Sequence, residues 1–306
     1  MIPAVIAVAA VIFFGAAYYA YTMAFLAPKD CGRNLPDTGS KAWIAYKDIL
    51  DRMIHTLQSR PCEEVSIQSH DGLKLVGSYY HTADGAPLAI CFHGYKSSFL
   101  ADFCGGSQLI LSQGHNLLMV DQRSHGRSEG KTITFGIQER KDLAAWVQYA
   151  ADRFGADVPI FLYGVSMGAA TVLMAADLAL AGNVRGIIAD CPYAVASDII
   201  VDVGRKMHFP EAFTRPFGWI AARIYGGFDL HETDAIRAVA KTEIPILIIH
   251  GEADTFVPAA MSAQVQLANP KIVRRITFPG AGHAMSYLTD TPRYRTAVTE
   301  FLREIL

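Results

Sequence analysis

The chain has 306 residues, 51% of them hydrophobic and 18% charged, and a formal net charge of −2. That length buries one large core and implies one or two domains. The near-neutral balance, with no long Lys/Arg run and no zinc-finger spacing, argues against a nucleic-acid-binding protein.

Residues Ile2 to Ala27 carry no charge. At ~1.5 Å per residue such a run crosses a bilayer core of ~30 Å, so residues 1–27 read as a single-pass transmembrane anchor. Tyr18, Tyr19 and Tyr21 cluster near its end, where an aromatic belt would sit. A cleaved signal peptide is the competing reading, but a basic n-region is missing and the apolar run is too long. A buried core helix fits poorly, because the run has no polar face. Lys29, Arg33, Lys41 and Lys47 follow the span, which leans toward a cytoplasmic side for the domain that follows. On this reading the anchor is separable, and deleting residues 1–27 should leave a soluble, folded domain. The five cysteines, Cys31, Cys62, Cys91, Cys104 and Cys191, are odd in number and show no C-x-x-C spacing. They form neither a disulfide framework nor a zinc knuckle and fit a reducing compartment; Cys91 reads as core.

Residues 28–63 read as a linker, Pro28 to Pro36, and an amphipathic helix over Lys41–Gln58 with Trp43, Ile44, Ile49, Leu50, Ile54 and Leu57 as its apolar positions. Residues 64–306 form the main domain. Glu64–Gln68 and Leu73–Tyr80, joined around Asp71-Gly72, predict an antiparallel pair. Strand-like runs at Leu88–Phe92, Asn116–Val120, Ile160–Tyr163, Gly186–Ala189, Ile246–Ile249 and Arg274–Phe278 then alternate with helical runs at Asp102–Gln113, Ile137–Phe154, Ala169–Ala181, Pro258–Leu267 and Pro292–Leu306. Such alternation predicts an α/β fold, a mostly parallel sheet with helices on both faces and ligands beyond the strands' carboxyl ends. More than fifty residues separate Asp190 from Ile246, too many for an ordinary connection. This stretch, about 192–243, reads as a helical cap interrupted at Pro210 and Pro216. Its aromatics, among them Tyr193, Phe209, Phe213, Phe217 and Trp219, divide between the cap's own core and an acyl or aryl pocket.

Gly164-Val165-Ser166-Met167-Gly168 lies between a predicted strand and a predicted helix, the setting of a nucleophile elbow. A serine hydroxyl needs a histidine base oriented by a carboxylate. His283, on a glycine-bearing loop after the last strand, is the candidate base, and His250, ending an apolar strand, reads as structural. Asp254, in the turn after Ile246–Ile249, is the candidate acid, with Asp190 and Glu252 as competitors. Two backbone donors should receive the oxyanion. Met167 supplies one, and Tyr95, after Cys91-Phe92-His93-Gly94, supplies the other. The Tyr95 hydroxyl either meets substrate or packs.

Taken together, His93-Gly94, the segment Asp121 to Gly130, Gly164-Val165-Ser166-Met167-Gly168, Gly251-Glu252-Ala253-Asp254 with Val257-Pro258, and Gly282-His283 resemble the signature set of the alpha/beta-hydrolases. The chain is most similar to the bacterial membrane-anchored branch akin to monoglyceride lipases, lysophospholipases and serine aminopeptidases. That resemblance covers roughly Glu64 to Leu306 and implies an alpha/beta-hydrolase fold, a triad of Ser166, Asp254 and His283, and no cofactor. It also implies that the Asp-x-Arg-x-His-Gly-x-Ser segment, with His125, is a structural network beside the site. The oxyanion motif is His-Gly-Tyr rather than His-Gly-Gly-Gly, so activity on tertiary-alcohol esters is not implied.

No His-Glu-x-x-His, no Gly-x-Gly-x-x-Gly after a strand and no properly spaced phosphate loop is present, and no metal site is expected. A dehalogenase of this type would need a carboxylate at position 166. The expected activity is cleavage of small-molecule or lipid-like carboxylic esters (acylglycerols, lysophospholipids, small acyl or aryl esters) through an acyl-Ser166 intermediate. An amidase or aminopeptidase using the same triad is the alternative. It would need an acidic group near the pocket, for which Asp198, Asp202, Glu211, Asp229, Glu232 and Asp234 are the cap's candidates. A non-catalytic membrane scaffold of the same fold is the remaining alternative.

Overall fold

The computed structural model describes residues 2–33 and 44–306. An eight-stranded sheet runs β1 (Glu63–Gln68), β2 (Lys74–Tyr80), β4 (Asn116–Asp121), β3 (Leu88–Phe92), β5 (Pro159–Val165), β6 (Asn183–Asp190), β7 (Ile246–Gly251), β8 (Val273–Phe278). β1 pairs with β2 and β2 with β4 antiparallel; every other neighbour is parallel. The chain thus has the alpha/beta-hydrolase architecture that its motifs implied.

The pleat sorts the strands' side chains into two apolar layers. Leu88, Ile90 and Phe92 of β3, with Ile246 and Ile248 of β7, join one layer, while Ala89, Cys91, Leu247 and Ile249 join the other. Helices cover both faces, which is why these central strands are apolar at every position. On one face lie α4 (Glu139–Phe154), α5 (Met167–Met174) and α9 (Ala259–Ala268). On the other lie α2 (Lys47–Gln58), α3 (Phe99–Ser112) and α11 (Thr291–Ile305). The short α10 (Ser286–Thr289) precedes α11.

Two helices depart from expectation. α2 begins at Lys47, and its buried stripe is Leu50, Ile54 and Leu57, while Ile44 and Ile49 are exposed; Lys41 and Trp43 lie outside the described residues. α5 stops at Met174 despite the alanines beyond it. Arg140 donates to the Met174 carbonyl and pairs with Asp177 there, so tertiary contacts end a helix that propensity would continue.

Between β6 and β7 stand α6 (Ala196–Lys206), α7 (Glu211–Ala221), a π-turn at Ala222–Gly226 and α8 (Ala235–Val239). Pro210 ends the approach to α7 as expected, but α7 runs through Pro216. Lacking an N–H, Pro216 leaves the Ala212 carbonyl without its intrahelical donor.

The N-terminal helix α1 (Ile2–Ala24) has two unlike halves. Val5, Ile6, Val8, Val11 and Ile12 of the first half are exposed, whereas the second half is one-sided: Tyr18, Tyr19 and Met23 are exposed, and Ala17, Tyr21 and, just past the helix, Phe25 are buried. Phe25 sits edge-on to Phe135 and Phe228, and its carbonyl accepts the Ile133 N–H at 2.8 Å. Ala27 N–H donates to the Lys131 carbonyl, and Gly126 N–H to that of Cys31. Tyr21, expected in an aromatic belt, is buried instead, its hydroxyl 2.8 Å from Thr132 Oγ1. The stretch after α1 is therefore tied to residues 125–133.

Candidate active site

β5 delivers Ser166 on a turn with φ 55° and ψ −114°, a strained combination for a residue with a side chain. The two glycines permit it by letting backbones touch. A Cβ at Gly164 would lie 2.2 Å from the Gly168 carbonyl oxygen, and one at Gly168 only 1.8 Å from that of Phe92. Ser166 N–H donates to the Asp190 carbonyl, which pins the elbow to β6.

Ser166 Oγ lies 2.8 Å from His283 Nε2, and His283 Nδ1 lies 2.7 Å from Asp254 Oδ2. An ionised Asp254 can only accept, so Nδ1 carries the proton and Nε2 is free to take one from the serine. The other Asp254 oxygen accepts the N–H groups of Phe256 and Val257, each at 2.8 Å. Burial pushes the Asp254 carboxyl up, but His250, His283 and the Val257 N–H outweigh it and hold it well below the carboxylate range. It therefore stays charged beside the imidazole.

The competing acids go elsewhere. Asp190 accepts from the Tyr294 hydroxyl at 2.8 Å, and Tyr294 in turn meets Tyr163. Burial pushes Asp190 up to about 6. Glu252 turns to the Thr277 hydroxyl. His250 is fully buried, with Nε2 donating to the Val257 carbonyl at 3.0 Å, a structural position.

The Tyr95 and Met167 N–H groups have no acceptor among the described residues. Met167 follows the elbow at the first turn of α5, and Tyr95 lies in the loop between β3 and α3. Gly94 comes within contact of the elbow, since a Cβ on it would stand 3.2 Å from Ser166 Cβ. The Tyr95 hydroxyl is committed to packing, donating to the Ala24 carbonyl at 2.9 Å.

A residue not singled out from sequence holds this loop. Asp102, half-buried in the first turn of α3, accepts the Gly94 N–H at 2.6 Å and the Ser97 hydroxyl at 2.7 Å. Burial pushes its pKa up, against those two donors and the neighbouring His93. The only advance signal was an acidic residue in the first turn of the following helix, a place acids occupy for capping alone. From the other side, His125 Nε2 accepts the Lys96 N–H, and His93 Nε2 accepts the Gln122 N–H. Arg123 is clamped between Asp142 and Asp71, and Arg127 lies on Asp121. The Asp121–Gly130 segment is thus a brace under the loop.

Two clusters bring metal-type donor atoms within 4.8 Å of one another. In Cys191/Asp254/His283 the imidazole and carboxylate are committed as above, and in His70/Asp71/Asp142 both carboxylates hold Arg123.

Ser166 opens into a cavity of about 140 Å³ whose described lining carries no charged side chain. Tyr193, Phe209, Phe213 and Phe217 line it from the cap, and Trp219 and Ile224 face outward. A larger cavity of about 700 Å³, beside Arg60, Tyr80 and Arg153, shares no residue with it.

Residues 89–297 match the model of a family described as the alpha/beta hydrolase family. The chain belongs to that family. This hydrolase is 29% identical over 228 residues to the uncharacterized protein YqkD of Bacillus subtilis, covering 73% of the chain and 74% of YqkD. It is 26% identical over 236 residues to the lysophosphatidylserine lipase ABHD12 of Danio rerio, covering 71% of the chain and 58% of that protein. The Pyrococcus furiosus esterase Pf2001 superposes with a TM-score of 0.66 at 23% identity, over 82% of the hydrolase and 93% of the esterase. Esterases are thus among the neighbours of its fold.

Proposed function

We propose that this hydrolase is a serine esterase that takes lipid-like single-chain acyl esters and is held at a membrane by α1. The observation that carries the reading is the Ser166–His283–Asp254 hydrogen-bond chain, whose serine lines an uncharged, aromatic-walled cavity. The similarity to ABHD12, which is described as a lysophosphatidylserine lipase, supports a lysophospholipid or monoacyl ester as the substrate class.

The chemistry follows from the geometry. As Ser166 Oγ bonds to the ester carbonyl carbon, its proton passes to His283 Nε2, and the carbonyl electron pair moves onto oxygen. Tyr95 and Met167 N–H donate to that oxyanion, and Asp254 stabilises the imidazolium without taking its proton. The tetrahedral adduct then expels the alcohol, which receives the proton from His283 and leaves the acyl group on Ser166. A water repeats the sequence, His283 accepting its proton, and the carboxylic acid departs as Oγ regains a hydrogen.

Aminopeptidase action has less support. Asp198, Asp202, Glu211, Asp229, Glu232 and Asp234 are each paired with an arginine or lysine, and none lines the cavity. A cleaved signal peptide is disfavoured by the burial of Ala17 and Phe25, which removal would undo.

The test is labelling with a fluorophosphonate probe, followed by turnover of monoacylglycerol, lysophospholipid and aminoacyl anilide. Wild type should label and Ser166→Ala should not, with esters preferred over anilides. Equal labelling of both forms, or faster anilide cleavage, would overturn the proposal.

A further inference from the structure

The cavity above Ser166 is not walled by the hydrolase domain alone. Tyr19, Ala20, Met23 and Ala24, on successive turns of α1, line it together with Val203 of α6 and Phe217 of α7. Ala20 and Ala24 are half-buried on this side, with Tyr19 and Met23 at the cavity's exposed edge, because the helix is fastened on both sides of them. Phe13 lies against Phe217 with ring centroids 5.2 Å apart, the Tyr225 hydroxyl donates to the Phe14 carbonyl at 3.0 Å, and Ala17 and Phe25 are wholly buried. The far end of the wall reaches the β3–α3 loop, since the Tyr95 hydroxyl donates to the Ala24 carbonyl.

The rim is also apolar. Met23, Met207 and Phe256, each 40 to 45% exposed, surround the opening, and the exposed Val8, Val11 and Ile12 of α1 continue the surface outward. An ester whose carbonyl reaches Ser166 would therefore leave its chain along α1, on the surface that also enters lipid. Alanines at 20 and 24, one turn apart, keep that side open for the chain.

We propose that the second half of α1 is one wall of the acyl site, with Ala20 and Met23 setting the acyl chain length and guiding the chain in from the bilayer. This deepens the esterase reading and rests on it. A longer acyl chain gains ~0.8 kcal/mol per buried methylene along such a wall, so obstructing it should penalise long chains and spare short ones.

The experiment uses the full chain in nanodiscs and compares kcat/KM for p-nitrophenyl laurate and p-nitrophenyl butyrate. Ala20→Phe and the rim variant Met23→Trp should each lower the laurate-to-butyrate ratio by about tenfold or more, equivalent to losing roughly two methylenes of burial. Leu267→Trp, at an exposed position of α9 outside the cavity lining, should keep the wild-type ratio. Melting temperature and labelling of Ser166 by a short-chain fluorophosphonate report whether each variant is folded. If Ala20→Phe does not fold, Met23→Trp decides. An unchanged ratio in the folded Ala20→Phe and Met23→Trp variants, or an equal shift in Leu267→Trp, overturns the inference. A wild type that hydrolyses neither ester, or a Ser166→Ala variant that hydrolyses both, would instead overturn the esterase reading beneath it.

Discussion

His125 Nε2 accepts the backbone N–H of Lys96 at 3.0 Å, one residue past the Tyr95 N–H that points toward the substrate oxygen in the proposed mechanism. The other ring nitrogen donates to the Arg123 carbonyl at 2.9 Å, so the imidazole must be neutral to serve both. Burial, helped by the neighbouring His93, holds His125 down at about 3.

The sign of the resulting pH effect is determined. Between about 3 and ~6.5 the unfolded chain protonates residue 125 while the folded protein does not. Stability from His125 is therefore fully present above ~6.5 and declines on acidification by at most ~1.4 kcal/mol per pH unit. Asp190, raised to about 6, acts in the opposite sense between its unfolded value and that pH. Comparing wild type with His125→Gln cancels it. From pH 7 to pH 5, urea unfolding should show wild type losing roughly 2 kcal/mol more than the variant. Equal losses would remove His125 as the source.

Asp102 touches neither substrate nor the triad, yet it holds Gly94 and Ser97 on either side of Tyr95. Asp102→Ala should misplace one oxyanion donor and lower kcat on the order of 10²-fold with KM changed much less. Asp102→Asn, which keeps an acceptor, should recover part of the loss. A rise confined to KM would mean that Asp102 shapes binding rather than the oxyanion contact.

Gly168→Ala places a methyl 1.8 Å from the Phe92 carbonyl oxygen, backbone against backbone, with no side chain to move aside. The strain should exceed ~3 kcal/mol and appear as a lower melting temperature or insoluble protein. Gly15→Ala, which meets nothing within 4 Å, is the matched control and should be neutral or stabilising. Equal melting temperatures for the two variants would contradict the close β3–α5 packing.

Deleting residues 1–27 no longer reads as removal of a separable anchor. It strips the cover from Phe135, Phe228 and Tyr225 and discards the buried Phe25, itself worth about 1.5–3 kcal/mol. The truncated protein should aggregate or melt well below wild type, whereas removing only residues 1–11 should leave a folded hydrolase. Thermal unfolding of both truncations in detergent checks this, and two equally stable products would mean that the α1 contacts contribute little.

Much of the site was legible from local order in the chain. Gly164, Ser166 and Gly168 are covalent near-neighbours, so strand, turn and helix could be read from ten residues. The unbroken apolar runs Leu88–Phe92 and Ile246–Ile249 dictated strands covered on both faces. Asp254 and His283 were reachable because each follows a readable strand, and strand ends in a parallel sheet share one edge. What sequence left open was where Asp254, Asp190 and Glu252 point, since each lies at or just past a strand end. Their carboxylates turn toward His283, Tyr294 and Thr277 respectively.

α1 is the clearest contrast. Its composition determined that it could enter a bilayer, since an uncharged run of that length carries its own signal. Nothing local says that Tyr21 will meet Thr132, 111 residues on, or that Ala20 and Met23 will share a cavity with Ser166. Hydrophobicity is a property of each side chain, but burial depends on which surfaces the fold brings together. Only the tertiary structure could bring one half of an apolar helix against the cavity that holds Ser166.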